Sequence, residues 1–285
     1  MRRVVNDFIE SLKNRQASAN TLASYERDIL KFSEYLDKTS KECFKLTQND
    51  VLEYIEFLRE NGKSNSTVSR AIASIKALYR YLLSRNIVEE NIADGLELPK
   101  IDRKDPSILT AYEIERLIGQ PDTTDLKGQR DKAMLEILYA TGLRVTELIS
   151  LLVEDVNVNG GYIKVKKRNT ERHIPIGKYA TKCIKEYIEE VRPLLIRSES
   201  ETALFINANG KKMTRQGFWK ILKHYKEQAK IDKELTPHTI RHSFAVHMLQ
   251  NGAEVKTVQE LLGHTDIATT MMYTQMKNVG LDGKI

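Results

Sequence analysis

The sequence predicts a mainly α-helical protein with a small β-sheet, organised as two domains. Three observations carry that expectation. Apolar residues recur at helical spacing throughout the first hundred residues. The stretch NIVEENIADGLELPKIDRKDPSIL (86–109) mixes glycine, proline and charge without a sustained period, as an interdomain linker does. GGYIKVKKRNTERHIPI (160–176) alternates apolar and polar residues on both sides of KRNT, which is a hairpin signal.

Four helices are expected in the first domain. VVNDFIESL puts Val4, Val5, Phe8, Ile9 and Leu12 on one stripe. TLASYERDILKFSEYL repeats the pattern with Leu22, Tyr25, Ile29, Phe32 and Leu36, with Asn20 or Thr21 as the cap. TQNDVLEYIEFLREN is capped by Thr47 and stopped at Asn61-Gly62. The fourth helix runs from about Asn65 to Arg85 and carries Arg70, Lys76, Arg80 and Arg85 on exposed positions. This domain spans residues 1–98, with a linker over 99–107.

The second domain, 108–274, mixes helices with a little sheet. TAYEIERLIG is a short helix capped by Thr110, and LKGQRDKAMLEILYATG an apolar one that ends at Gly142. RVTELISL is a further short helix, and the hairpin follows. KYATKCIKEYIEEVRPLL is helical to near Pro193, and ALFIN (203–207) reads as a strand. TRQGFWKILKHYKEQAK is a basic helix, followed by helices in TPHTIRHSFAVHML (236–249) and VKTVQELLGH (255–264). Residues 275–285 form a short tail.

Bulk properties narrow the function classes. The chain has 285 residues, a net charge of +6 and 41% hydrophobic residues. That charge favours an acidic partner. Cys43 and Cys183 are far apart and unpatterned, which suits a reducing cytosol and excludes a cysteine-rich zinc site. MRRVVNDFIE lacks the apolar run of a signal peptide, and no stretch approaches the length of a membrane span. The expectation is a soluble, cytoplasmic protein with no membrane partner.

The segment TPHTIRHSFAVHML packs His238, Arg241, His242 and His247 together. In a helix His238, Arg241 and His242 share a face, while Phe244, Met248 and Leu249 can face a core. His238 and His242 have the i, i+4 spacing of metal ligands, but no Asp, Glu or Cys lies between Leu235 and Ala253, so no metal is expected. A buried cation needs an anion, and this helix supplies none; the partner is expected from outside.

Other polar positions look ordinary one by one. Arg144 and Glu147 form an R-x-x-E pair, Lys167 stands at the hairpin tip, His264 ends a helix and Tyr273 sits among apolar residues. Together they describe a reaction centre. Two arginines can grip the non-bridging oxygens of a phosphate and stabilise the charge that grows at five-coordinate phosphorus. A tyrosine hydroxyl can attack that phosphorus, and a lysine or histidine can protonate the departing sugar oxygen. No metal or other cofactor is required. The carboxylates that a metal-dependent nuclease would cluster are missing: Glu154 and Asp155 have no evident third partner.

ATGLRVTELISL, KKRNTERHIPI, TPHTIRHSFAVHML and LLGHTDIATTMMYT occur in the order and spacing of the tyrosine recombinase family, nearest to the Xer recombinases. The chain resembles that family over nearly its whole length. The resemblance implies an N-terminal four-helix, SAM-like core-binding bundle and a mixed α/β tyrosine-recombinase catalytic domain. It also implies roles. Arg144, Arg241 and His264 would bind and activate the scissile phosphate, with His238 beside them. Lys167 would be the general acid, with Lys166 as fallback, and Tyr273 would form a 3′-phosphotyrosine. His242 and His247 match neither the clamp nor the nucleophile and are read as structural. Relatives often carry glycines around the hairpin lysine and a histidine two residues after the tyrosine; here stand KVKKRNTER and Gln275.

The implied partner is double-stranded DNA with a specific recombination site. Ser66, Arg70 and Lys76 are the expected contacts in the first domain; Lys211, Lys212, Thr214, Arg215 and Gln216 are those in the second. A tetramer on DNA with two subunits active at a time would follow, its subunits joined by the 275–285 tail, and a DNA translocase is a candidate activator. The leading function is Xer-type resolution of chromosome dimers at a dif-like site. Integration of a mobile element, a type IB topoisomerase and a non-catalytic DNA-binding regulator stand as alternatives.

Overall fold

A computed structural model describes residues 2–99, 106–167 and 170–276, with Arg2 and Lys167 described by backbone alone. Contacts divide the chain into two compact units, Met1–Lys104 and Asp105–Ile285.

The first unit is built from α1 (Arg2–Asn14), α2 (Ala19–Lys38), α3 (Gln48–Glu60) and α4 (Asn65–Ser84). Its core gathers Phe8, Ile29, Phe32, Leu36, Val51, Tyr54, Leu58, Ile72, Ile75 and Leu78. The start of α2 differs from expectation. Ser18 is the cap, its Oγ accepting from the Thr21 backbone N–H at 3.1 Å. At α3 the Thr47 N–H donates to Asp50 Oδ2 at 2.7 Å, which ties down the first turn. Asp28 on α2 is buried and accepts a two-pronged pair from Arg70 on α4, at 2.8 and 2.9 Å, plus the Ser74 hydroxyl at 3.1 Å.

The second unit contains α5 (Ala111–Ile118), α6 (Leu126–Thr141), α7 (Val145–Leu148), β1 (Val156–Asn157), β2 (Tyr162–Lys167), β3 (Thr170–Pro175), α8 (Lys178–Glu186), α9 (Arg192–Leu195), α10 (Arg215–Gln228), α11 (Pro237–Gln250), α12 (Val255–Leu262) and α13 (Ala268–Gln275). The strands form one antiparallel sheet in the order β1-β2-β3, with Ile163 opposite Ile174 and Lys167 opposite Thr170. β1 is two residues long, too short to leave a periodic signal.

Helix α6 runs through the middle of this unit. Ala133, Met134, Leu135, Ile137 and Leu138 are all buried, so it is apolar around much of its circumference and packs against α7, α8 and α11. Near its start Arg130 and Asp131 are buried together. Arg130 Nε donates to Asp131 Oδ1 at 2.8 Å and its Nη1 to the Ile206 carbonyl at 3.1 Å, while the Tyr225 hydroxyl donates to Asp131 Oδ2 at 3.1 Å. At its end Gly142 takes a left-handed conformation, φ 59°. A Cβ there would lie 2.4 Å from Phe244 Cδ1 and 2.9 Å from Leu262 Cδ2, so both backbone angle and space call for glycine.

One expectation is corrected. Residues 203–207 form no strand; Ala203 and Ile206 make only single bridges, to Leu152 and Lys212. Side chains meet much of this backbone instead. The Tyr187 hydroxyl donates to the Leu204 carbonyl and accepts from the Ile206 N–H, and Arg192 Nε donates to the Ala203 carbonyl. The helical stretch expected to end near Pro193 does end there, at Leu195; a π turn over Tyr187–Val191 precedes α9 and puts Pro193 in its first turn, where a missing N–H is tolerated.

Candidate active site

The site is assembled on a few helix ends of the second unit. Gly142 ends α6 and Arg144 caps α7; Gly263, φ 62°, ends α12. These two left-handed glycines turn the chain sharply and expose the last carbonyls of their helices. Arg241, on α11 and only 3% exposed, collects them: Nη1 donates to the Gly142 carbonyl at 2.7 Å and Nη2 to the Leu262 carbonyl at 2.7 Å. Nη2 also lies 3.0 Å from His264 Nε2. Arg144 Nη1 reaches the same Leu262 carbonyl at 3.4 Å. Arg144, Arg241 and His264, scattered over 120 positions of sequence, are thus brought to one place.

One carboxylate serves this cluster. Glu147 Oε2 accepts from the Arg144 backbone N–H at 2.9 Å and Oε1 is 3.4 Å from Arg144 Nη1. Arg172, on β3, grips both its oxygens at 3.2 and 3.0 Å and donates from Nε to the Leu261 carbonyl at 2.9 Å. Arg241 Nη1 stands 4.0 Å from Oε2. Burial pushes the Glu147 carboxyl upward, but the Arg172 and Arg144 hydrogen bonds outweigh it and hold the group below the usual carboxylate range. Three guanidinium groups therefore share one negative charge. The sequence shows the Arg144–Glu147 spacing; it gives no sign that Arg172 joins them from the sheet.

The excess positive charge is felt by its neighbours. Burial, then the charge of Arg144, lowers Arg241 to about 10. Burial, then Arg241 and Arg144, pushes His264 down to about 4, so its ring is neutral at pH 7. An arginine can only donate, so Nε2 of His264 is the bare nitrogen and Nδ1–H donates to Thr270 Oγ1, 2.9 Å away. Thr270, wholly buried on α13, fixes the ring's orientation; nothing in the sequence singles it out.

Tyr273 is also on α13. It is 1% exposed, its ring 6.3 Å from that of His264, and its hydroxyl lies 2.8 Å from His242 Nδ1. Burial raises the phenol above its ordinary value, although Arg241 and Arg144 pull it down in part. His242, read from sequence as structural, is in contact with the tyrosine oxygen. Its only sequence signal was its face of α11. His247 keeps a structural place, bonded through Nδ1 to the Tyr139 hydroxyl at 2.9 Å.

His238 lies one helical turn before His242, ring centres 6.3 Å apart, beside a groove of about 600 Å³ lined by Val145, Arg215, Gln216, Trp219, Lys220 and Pro237. Lys167 pairs with Thr170 through the backbone at the end of β2; its side chain lies outside the described residues. Lys166 points to acidic partners, 3.6 Å from Glu154 and 3.7 Å from Asp155. Lys212 Nζ reaches Ser150 Oγ at 3.3 Å, Lys211 is exposed in the turn before it, and Thr214 caps α10, its Oγ1 accepting from Gly217 N–H at 2.9 Å. In the other unit Ser66 is exposed, Arg70 is held by Asp28 and Lys76 Nζ donates to the Asp94 carbonyl at 3.1 Å.

Residues 107–278 match the phage integrase family, and residues 5–86 match the phage integrase N-terminal SAM-like domain. The chain belongs to the phage integrase family. It is 43% identical to the tyrosine recombinase XerD of Listeria innocua serovar 6a, over 99% of this chain and 96% of that one. It is 44% identical to the XerD of Oceanobacillus iheyensis, over 97% and 95%. A crystal structure of the XerH site-specific recombinase, in a post-cleavage complex on palindromic difH, shares the fold with a TM-score of 0.77 at 22% identity, covering 93% of this chain and 78% of that one. This integrase-family chain is accordingly an enzyme of the Xer type of tyrosine recombinase, one that cleaves and rejoins DNA. The integrase, topoisomerase and regulator alternatives are not favoured by its relatives. Among the described residues no helix is long and apolar enough to cross a membrane.

Proposed function

We propose that this enzyme resolves chromosome dimers in the cytoplasm, breaking and rejoining DNA at a dif-like site through a 3′-phosphotyrosine. The observation that carries the reading is the surplus of cationic groups around Leu262 and Glu147, beside a His264 ring whose centre lies 6.3 Å from that of Tyr273. In this reading Arg144 and Arg241 hold the non-bridging oxygens of the scissile phosphate, and His264 and His238 flank it. Burial, then the Arg241 and Arg144 charges, keep His264 neutral; a bound anion opposes both and favours the form in which both its nitrogens donate. The Tyr273 oxygen attacks phosphorus, the bond to the 5′ oxygen breaks, and Lys167 supplies the proton that oxygen needs. The phosphoester keeps the bond energy, so rejoining is the same reaction reversed.

Residues 1–98 would bind the core site and 108–274 perform catalysis, joined by 99–107. Ser66, Arg70 and Lys76 in one unit, and Lys211, Lys212, Thr214, Arg215 and Gln216 in the other, are the proposed DNA contacts; Arg70 and Lys76 would have to share themselves with Asp28 and Asp94. A tetramer with two active subunits, docking through residues 275–285, and activation by a DNA translocase complete the proposal. Nearly all of that tail lies outside the described residues.

The test is to trap covalent protein–DNA complexes in the host and map them. Wild-type protein should be attached near one chromosomal site at the replication terminus. Tyr273→Phe should bind the same DNA and form no covalent complex. Attachment at the ends of a mobile element would replace dimer resolution with integration, and no attachment anywhere would end the catalytic reading.

A further inference from the structure

Tyr273 must lose its hydroxyl proton as it bonds to phosphorus, and none of the roles above says where that proton goes. The surroundings of the phenol narrow the choice. Both nitrogens of His264 are engaged, Nε2 by Arg241 and Nδ1 by Thr270. His238 has its ring 6.3 Å from that of His242 and no described hydrogen bond to the tyrosine. Among the described residues only His242 has a nitrogen on the phenol oxygen, Nδ1 at 2.8 Å, with the rings 5.5 Å apart. This is the hydrogen-bond geometry that proton transfer requires.

We propose that His242 is the base that takes the Tyr273 proton during cleavage and returns it during rejoining. This rests on the recombinase reading above. In the forward step a lone pair of Tyr273 Oη forms the bond to phosphorus while its proton moves to the bare Nδ1, giving an imidazolium. The bond from phosphorus to the 5′ oxygen breaks with its electron pair on that oxygen, which is protonated by the general acid. In the return step the 5′ hydroxyl attacks and gives its proton back to the deprotonated general acid, the phosphotyrosine bond breaks with its electron pair on the phenol oxygen, and His242 hands Nδ1–H back to the departing phenolate.

The placement has two physical merits. His242 follows Arg241 directly, so the group that grips the phosphate and the group that accepts the proton are held by adjacent residues of one buried helix. The resting site is also silent. Burial, His238 and Arg241 hold the His242 ring down at about 4, while burial holds the phenol up, so no proton moves until something stabilises an imidazolium. The anionic phosphate is that something, and it arrives with the substrate. His242 thereby links activation of the nucleophile to occupation of the clamp.

The experiment compares two leaving groups. Cleavage is measured on a nicked suicide duplex carrying the mapped site, with wild type, His242→Phe and His242→Gln. Joining is measured separately in a Tyr273→Phe background, from DNA ending in a 3′-p-nitrophenyl phosphate, whose nitrophenolate leaves without needing a proton. His242→Phe should slow cleavage about 100-fold, the usual contribution of a positioned base. The same change should leave nitrophenyl joining within about 3-fold, since that reaction bypasses the base but uses the same clamp. His242→Gln, which can hydrogen-bond but cannot hold the proton, should behave like His242→Phe. Equal loss in both reactions would make His242 a packing residue, and wild-type cleavage by either variant would remove it from the reaction. Should wild type form no covalent complex at all, the failure belongs to the recombinase reading, not to His242.

Discussion

The second unit holds two buried arginine clusters, and they are solved differently. Arg130 is matched one to one with Asp131, and the remaining polar atoms meet the Tyr225 hydroxyl and the Ile206 carbonyl. Its charge is closed within the protein. Around Glu147 three arginines meet a single carboxylate, and Arg241 leans on backbone carbonyls for its hydrogen bonds. Carbonyl dipoles satisfy donors without cancelling charge. The first cluster is what a structural ion pair looks like; the second carries more positive charge than its one described carboxylate cancels, which is what the proposed phosphate clamp requires.

The contrast is most sharply tested by removing each arginine. Arg241→Ala should lower cleavage of a suicide substrate about 1000-fold, the scale of losing one transition-state donor, with a smaller change in DNA affinity. Arg130→Ala should do the reverse: it strands a buried carboxylate, costs about 3 kcal/mol in denaturant unfolding, and leaves the rate per folded molecule within about 3-fold. If both variants lose the same property, the clusters do not differ in kind.

The next effect is on acid stability. His242 and His264 are held at about 4 in the folded protein, against about 6.5 in an unfolded chain. Between those values the unfolded chain binds more protons, so stability rises with pH through the window and is lost as pH falls from about 6.5 toward 4. A His242→Gln, His264→Asn double variant should flatten the melting temperature across that range. A wild-type profile already flat there would mean that burial and the neighbouring charges do not hold these two rings down.

The smallest effect concerns free anions. Sulfate at constant ionic strength should raise the melting temperature by about 3 °C, as expected for a ligand at several times its dissociation constant. Glu147→Gln, which deletes the only carboxylate that the described residues place among these three arginines, should start lower and gain more from sulfate. An equal response in both proteins would separate Glu147 from the anion site.

Much of this was legible before any coordinates. The helical stripes of α1 to α4, the Thr110 cap, the Gly142 stop and the hairpin depend on local patterns, and local patterns are what a sequence displays. The shared face of His238, Arg241 and His242 was legible for the same reason, since i, i+3 and i+4 neighbours meet on any helix. What escaped was tertiary. Arg172 reaches Glu147 from another element, and His242 meets Tyr273 thirty-one residues later. The anion sought from outside for Arg241 was in part already present in Glu147. Residues 203–207 have a strand's composition but satisfy their backbone partly through the Tyr187 and Arg192 side chains and partly through single hydrogen bonds to Leu151, Lys211 and Met213, which no local pattern announces. Ser18 caps α2 ahead of Asn20 and Thr21 because Ser-x-x-Thr places its hydroxyl in reach of the Thr21 N–H.

Gly142 has no reactive atom, yet its peptide is where an apolar helix, the guanidinium of Arg241 and the phenyl ring of Phe244 all converge. A single added methyl at that junction would press on Phe244 of α11, the helix of Arg241 and His242, and on Leu262 of α12, whose carbonyl Arg144 and Arg241 both use. The least chemically endowed residue of the neighbourhood thus sets the tolerance to which the whole centre is machined.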